Sequence, residues 1–277
     1  MIYWNDLQHP WSTEASNNLQ KSKLVKCDWN PTITDGIVSN NTTDTDCSQM
    51  MVSIVKDVGL RGVLFLGDST MDRLWNEVHD LQHINPVSSK KITKTQCREN
   101  WCTFCKFCNT FMVVPKSKED ILVPMDYGCI WGMKSVFENP LQETLAQYLE
   151  WHGKLYSLCI VNSGLHDQRH PLSTEGYIEN VKGLLDIVFH VCSYIIWIET
   201  TAPLERTTGE YPQTVERTRE WNVALNSYLE THMNRNVSVV QVFEKSLKAE
   251  HHDNVHMHRL WYLELARSLF EKIVNVA

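Results

Sequence analysis

Val63-Leu64-Phe65-Leu66-Gly67-Asp68-Ser69-Thr70 sets the architecture expected of this chain. Four apolar residues without a polar interruption, closed by Gly, read as a strand buried on both faces of a parallel sheet, since a strand with one wet face would alternate. Met71, Leu74, Trp75 and Val78 then recur at helical spacing. The alternation continues downstream. Phe111–Val114 or Ile121–Val123 reads as a strand, the region around Leu141–Trp151 as a helix, and Leu158–Val161 as a third strand. Tyr177–Phe189 is an expected helix, Tyr194–Ile198 a strand, Val215–Met233 a long helix, Val237–Val242 a strand and Leu260–Ile273 the closing helix. Strands alternating with helices imply an α/β fold: a three-layer sandwich with a mostly parallel central sheet and helices on both faces. The ordered core starts near Arg61. Residues 1–58, rich in Trp, Asn, Thr and Asp without periodicity, read as an irregular N-terminal lead-in to a domain spanning 59–277.

The whole chain has 277 residues, 43% of them hydrophobic, which is enough for one sizeable core. A formal charge of -7, with Lys and Arg scattered rather than striped, argues against nucleic acid as a partner. No apolar run approaches the roughly 20 residues that span a bilayer, and Met1–Trp11 lacks the basic start and apolar centre of a signal peptide. The expectation is a cytosolic protein or a truncated luminal chain. Sequons at Asn40, Asn41 and Asn236 suit the second. So do the nine cysteines, because Cys27, Cys47, Cys97, Cys102, Cys105 and Cys108 fall outside the apolar runs, where bridges would staple loops. Cys159 and Cys192, inside apolar runs, read as buried small hydrophobes. These features point to the secretory-pathway lumen or the cell exterior.

Parallel sheets bind ligands outside the carboxyl ends of their strands, so the residues just after each apolar run are the ones to inspect. Gly67 allows a tight strand-to-helix turn and leaves Ser69 at a helix N-terminus, where unpaired peptide N–H groups would meet an oxyanion that Ser69 itself creates. The plain alternative is that Asp68 or Ser69 merely caps the helix. Near the other end, Asp253 and His256 lie three residues apart in an expected loop, where a carboxylate can orient an imidazole that takes the proton of Ser69. The alternative there is an exposed polar loop capped by Asp253. After the third strand, in Asn162-Ser163-Gly164-Leu165-His166-Asp167, a small residue permits close backbone approach, and Asn162 or His166 could donate to the oxyanion. Its alternative is a polar turn with Asp167 as a cap. Gly128 offers a further backbone N–H from the second strand's loop. The oxyanion hole is therefore assigned to Ser69, Gly128 and Asn162, with Asp68, Gly164 and His166 as further substrate or oxyanion contacts.

Two metal readings compete. Four histidines between His251 and His258 suggest zinc, but the spacing lacks the helical His-x-x-x-His pattern with an intervening Glu, so the triad is preferred and no metal is assigned. Cys97-x4-Cys102-x2-Cys105, with Cys129 further on, matches plant-type ferredoxin spacing, and structural zinc would suit four such thiolates. Set within a 277-residue βαβ pattern and flanked by Trp101, Phe104 and Phe107, the cluster is read instead as disulfides, Cys97 or Cys102 with Cys108 or Cys129, the pairing left open.

From about Val63 to its end the chain resembles the SGNH/GDSL superfamily, whose fold is flavodoxin-like, and within it the PC-esterase type that includes trichome-birefringence-like and NXPE-like proteins. The resemblance rests on Leu66-Gly67-Asp68-Ser69, Asn162-Ser163-Gly164-Leu165-His166-Asp167 and Asp253-Asn254-Val255-His256. It implies a catalytic triad of Ser69, Asp253 and His256, no cofactor, and placement or removal of acyl groups, often acetyl, on glycans of the cell surface or secretory pathway. Two departures stand out. The superfamily's G-x-N-D block is replaced by one in which Asn precedes Gly, and Thr70 stands where Leu is common. A second class of function, a catalytically silent member of the fold that binds a glycan or protein at the sheet edge, would suit the ten tryptophans. An intact Ser69, Asp253 and His256 set favours chemistry.

Overall fold

The computed structural model describes residues 33–34, 37–38, 60–83, 96–102, 105–109, 111–114, 121–130, 156–204, 211–232 and 236–276. Strands β1 (Ile33–Thr34) and β2 (Ile37–Val38) form a small antiparallel pair. The main sheet starts with β3 (Val63–Gly67), which runs into helix α1 (Ser69–His83). There follow β4 (Gln96–Cys102), β5 (Cys105–Asn109), β6 (Phe111–Val114), β7 (Ile121–Cys129), β8 (Tyr156–Val161), α2 (Thr174–Phe189), β9 (Cys192–Ile198), α3 (Val215–His232), β10 (Val237–Val240), the one-turn α4 (Phe243–Ser246) and α5 (Arg259–Val276). The strand order is β10-β9-β8-β3-β7-β5-β4, with β6 pairing on β7.

Within that order β10, β9, β8, β3 and β7 are all parallel, which is why β3 and β8 are fully buried and read as unbroken apolar runs. Counted along the chain, the five parallel strands lie in the order 2-1-3-4-5, the doubly wound flavodoxin-like order. Met71, Leu74, Trp75 and Val78 of α1 join Leu265, Leu269 and Phe270 of α5 on one face of the sheet. Tyr177, Val181 and Leu184 of α2 join Trp221 and Leu225 of α3 on the other. The fold is the three-layer α/β sandwich that the alternation predicts.

Three expectations change. Phe111–Val114 and Ile121–Val123 are not alternatives: they pair antiparallel as β6 and the start of β7, and β7 continues to Cys129 as the parallel neighbour of β3. The clustered cysteines sit on strands rather than loops, with Cys97 opposite Cys108 and Cys102 opposite Cys105 in the β4–β5 hairpin. Cys159 and Cys192 are not free thiols but a disulfide, joining β8 to the first residue of β9 across a separation of 33 residues. Both sit in the core beneath α2, where a buried cysteine and a buried cystine look alike in sequence. The helix expected near Leu141–Trp151, Cys27 and Cys47, and all but residues 33–34 and 37–38 of the lead-in lie outside the described residues.

Candidate active site

The strand order reverses between β3 and β8, and it is at such a reversal, outside the carboxyl ends of the strands, that open α/β sheets bind ligands. Ser69 follows β3, and the segment from Asn162 follows β8. Gly67 makes their closeness feasible. A Cβ at that position would lie 2.6 Å from Cβ of Met71 and 2.9 Å from the carbonyl oxygen of Asn162, so any side chain would push α1 away from the β8 loop.

The cap of this helix is Asp68, and the Ser69 side chain takes no part in it. Asp68 Oδ1 accepts from the Thr70 N–H at 2.8 Å, and its carbonyl accepts the first helical bond, from Asp72 N–H at 3.0 Å. Tyr127 of β7, buried with its hydroxyl pushed well above the ordinary range by desolvation and by Asp72 and Asp68, lies within 3.2 Å of the carbonyl oxygens of Gly67 and Asp68. The turn is thus fixed from below. Ser69, in the first turn of α1, has a peptide N–H with no intrahelical acceptor.

Ser69 Oγ donates to Nε2 of His256 at 2.6 Å, and Nδ1 of His256 lies 2.7 and 2.9 Å from the two carboxylate oxygens of Asp253. Nδ1 must carry a proton to bond a carboxylate, which leaves Nε2 as the acceptor for serine. Burial alone would raise the Asp253 carboxyl. Peptide N–H groups of Val255 and His256, both at 2.9 Å, together with the imidazole, outweigh it and hold the group far below the usual carboxylate range. Asp253 therefore stays ionised. The loop is closed by bonds from the His252 and Asp253 N–H groups to the His256 carbonyl and by a bridge between His251 and Met257. Met257, fully buried, pins it into the core. Two ion pairs tie the helix that bears Ser69 to this region, Arg73 to Asp253 at 3.8 Å and Glu77 to Arg259 at 2.9 Å. Arg73 was missed in the sequence, although it sits one helical turn beyond Ser69 and so on the same face.

The oxyanion side differs from expectation. Asn162 is buried, and its side-chain amide donates to the carbonyls of Ile198 at 3.0 Å and Glu199 at 3.2 Å. Both amide hydrogens are spent on the end of β9, so Asn162 is a structural tie between β8 and β9 and has no donor left for substrate. Gly128 lies inside the sheet, opposite Leu66 on one side and Phe107 on the other, and its N–H is directed along the sheet rather than out of the strand ends. The β8 loop has other candidates. Gly164 adopts φ 129°, a region that favours glycine, and its N–H has no acceptor among the described residues. A side chain there would meet Thr200 Oγ1 at 2.7 Å. His166, two residues on, is buried, and desolvation holds its imidazole below the ordinary value against the pull of Asp68, with Arg169, His256 and His170 acting in the same sense as burial. A neutral imidazole can donate one N–H. Among the described residues no cluster of His, Cys, Asp or Glu could hold a metal ion, and Cys129 is disulfide-bonded rather than a thiolate ligand. No helix of the described residues is long and apolar enough to cross a membrane.

No protein-family model matches the chain, and no curated protein matches it. Solved structures do. A member of the lipolytic protein G-D-S-L family from Veillonella parvula is 14% identical, with 76% of this chain and 96% of that one covered, at a TM-score of 0.44. The acetylxylan esterase Axe2 from Geobacillus stearothermophilus is 12% identical over 77% and 94%, at 0.44. LAE5, an α/β hydrolase enzyme from the metagenome of Lake Arreo, is 10% identical over 78% and 96%, at 0.43. At this distance the likenesses carry no functional weight, which rests on the chain's own site.

Proposed function

We propose that this chain is a serine esterase or O-acyltransferase of the SGNH kind, of PC-esterase type, acting on acetylated glycans or glycoconjugates. The observation that carries the proposal is the unbroken relay from Ser69 Oγ through His256 to Asp253, a 2.6 Å link between residues 187 positions apart in the chain followed by a 2.7 Å link between residues three apart. A module that only binds has no use for such a relay. Ser69 Oγ attacks the ester carbonyl while its proton passes to Nε2 of His256, and Asp253 stabilises the imidazolium that forms. The Ser69 N–H, with Gly164 and His166 of the β8 loop, meets the oxyanion. His256 returns the proton to the leaving alcohol, and water or a sugar hydroxyl resolves the acyl-enzyme. No step calls on a cofactor.

The Cys159–Cys192 disulfide and a disulfide-bonded Cys129 suit an oxidising compartment, the secretory lumen or cell exterior. Asn236, half-exposed at the head of the edge strand β10, is the sequon that the structure describes, and a mass loss on enzymatic deglycosylation of secreted protein, absent from Asn236→Gln, would test its use.

Fluorophosphonate labelling with mass mapping tests the mechanism. The expected adduct sits on Ser69 and is absent from Ser69→Ala and His256→Ala. Half-burial of Ser69 predicts little change in stability for the first variant. Wild-type protein that is folded yet neither labels nor cleaves p-nitrophenyl acetate would overturn the esterase assignment.

A further inference from the structure

The β8 loop, residues 162–173, carries the groups assigned to the oxyanion side, yet from Asn162 to Gln168 it is buried without belonging to a strand or long helix. Its backbone groups must find partners elsewhere. They find them on the first two turns of α3 and the residues just before it. Gln213 Nε2 donates to the Leu165 carbonyl at 2.6 Å, Thr214 N–H donates to Gln168 Oε1 at 3.2 Å, and Gln168 Nε2 donates to Thr218 Oγ1 at 2.7 Å. Arg217 does the most. Its Nη1 donates to the Gln168 carbonyl at 2.7 Å, and its Nη2 to the carbonyls of His170 at 3.1 Å and Leu172 at 2.5 Å.

The same guanidinium lies 4.7 Å from the centroid of the Trp221 ring, and Trp221 stacks at 4.3 Å on Tyr177. Tyr177 is fully buried, and its hydroxyl donates to the Ser163 carbonyl at 3.3 Å. The loop is therefore held at both ends by one connected stack, Ser163 through Tyr177 and Trp221, and 168–172 through Arg217. Between these anchors lie Gly164, Leu165 and His166. The planar fork reaches three carbonyls, that of Gln168 in a short 3-10 turn and those of His170 and Leu172 just beyond it, and a lysine ammonium does not reproduce its fixed donor geometry.

We infer that Arg217 is a positioning residue for the reaction: by gathering the carbonyls of Gln168, His170 and Leu172 it sets the place of Gly164 and His166 relative to Ser69. This rests on the esterase assignment. Its role is geometric, since displacement of an oxyanion donor by about 1 Å can cost about 10²-fold in rate.

The test compares wild type, Arg217→Lys and Arg217→Ala by p-nitrophenyl acetate kinetics, thermal melts and amide hydrogen exchange. The expected result is a kcat at least ten-fold lower in both variants, KM within about two-fold, and partial recovery of Arg217→Ala by added guanidinium. Amides of 163–170 should exchange at least ten-fold faster, while those of α5 keep their wild-type rates. Unchanged exchange across 163–170 would overturn the inference whatever the activity, and so would a kcat that falls only with the folded fraction. Wild type that fails to turn over or label refutes the esterase assignment instead, and the exchange comparison still decides whether Arg217 orders the loop. If Arg217→Ala does not fold, Arg217→Lys supplies the same comparison.

Discussion

Replacing Gly67 by Ala adds one methyl group between the two halves of the site. That methyl would stand 2.6 Å from Cβ of Met71 and 2.9 Å from the carbonyl oxygen of Asn162. Ordinary contacts between carbon atoms begin near 3.5 Å, so α1 and the β8 loop must part by roughly 1 Å. Neither neighbour is a flexible tip: one is a Cβ fixed to the helix that bears Ser69, the other is backbone at the root of the β8 loop. On the proposed mechanism, the separation therefore falls on the distance between Ser69 and the donors of the β8 loop. Overpacking of this size costs about 1–3 kcal/mol of stability, and the misplacement lowers kcat by about 10²-fold, close to 2.7 kcal/mol of transition-state stabilisation. Gly62→Ala is the control. It lies just before the other end of β3, where the added methyl would meet the Tyr156 ring edge at 3.1 Å, away from the site. Both variants should melt earlier than wild type, and only Gly67→Ala should lose turnover of p-nitrophenyl acetate and labelling rate. Equal kcat in the two variants, with both folded, would refute the idea that Gly67 sets the spacing.

Asn162→Ala should remove two donors from the β9 carbonyls and cost about 1–3 kcal/mol in a urea melt, while kcat of the folded variant stays within ten-fold of wild type. Loss of an oxyanion donor costs about 10²–10³ in kcat, so a drop of that size would restore Asn162 to the oxyanion hole. Converting Cys159 and Cys192 together to Ala opens a 33-residue loop and should lower stability by about 3–4 kcal/mol on the chain-entropy estimate, measured by denaturant unfolding at equal pH. A loss below about 1 kcal/mol would show that the bridge constrains the unfolded chain little.

Much of the proposed site was legible because it is local. Gly67-Asp68-Ser69 needs only a strand end and a helix start, both announced by periodicity. Asp253-x-x-His256 needs only a short loop that lets a carboxylate reach its own neighbour's imidazole. Buried parallel strands have no wet face, so their apolar runs declared the sheet. Distance along the chain limited the rest. Whether the amide of Asn162 faces substrate or the carbonyls of Ile198 and Glu199 depends on where β9 ends, 36 residues on. Whether Gly128 lies in a loop or a strand depends on how far β3 extends its pairing. Cys159 and Cys192 each look like a core residue until their strands are side by side, and Arg217 looks like a solvated helix charge until three carbonyls arrive beside it.

The chain's own order of residues determined the alternation of strands and helices, the turn that carries Ser69 and the pairing of Asp253 with His256, because each of these is dictated by backbone preference and spacing over a few residues. Tertiary structure alone decided the strand order with its reversal between β3 and β8, the disulfide in the core, and the commitment of the Asn162 amide to the end of β9. Hydrogen-bond donors are finite, and only packing decides on which acceptors they are spent.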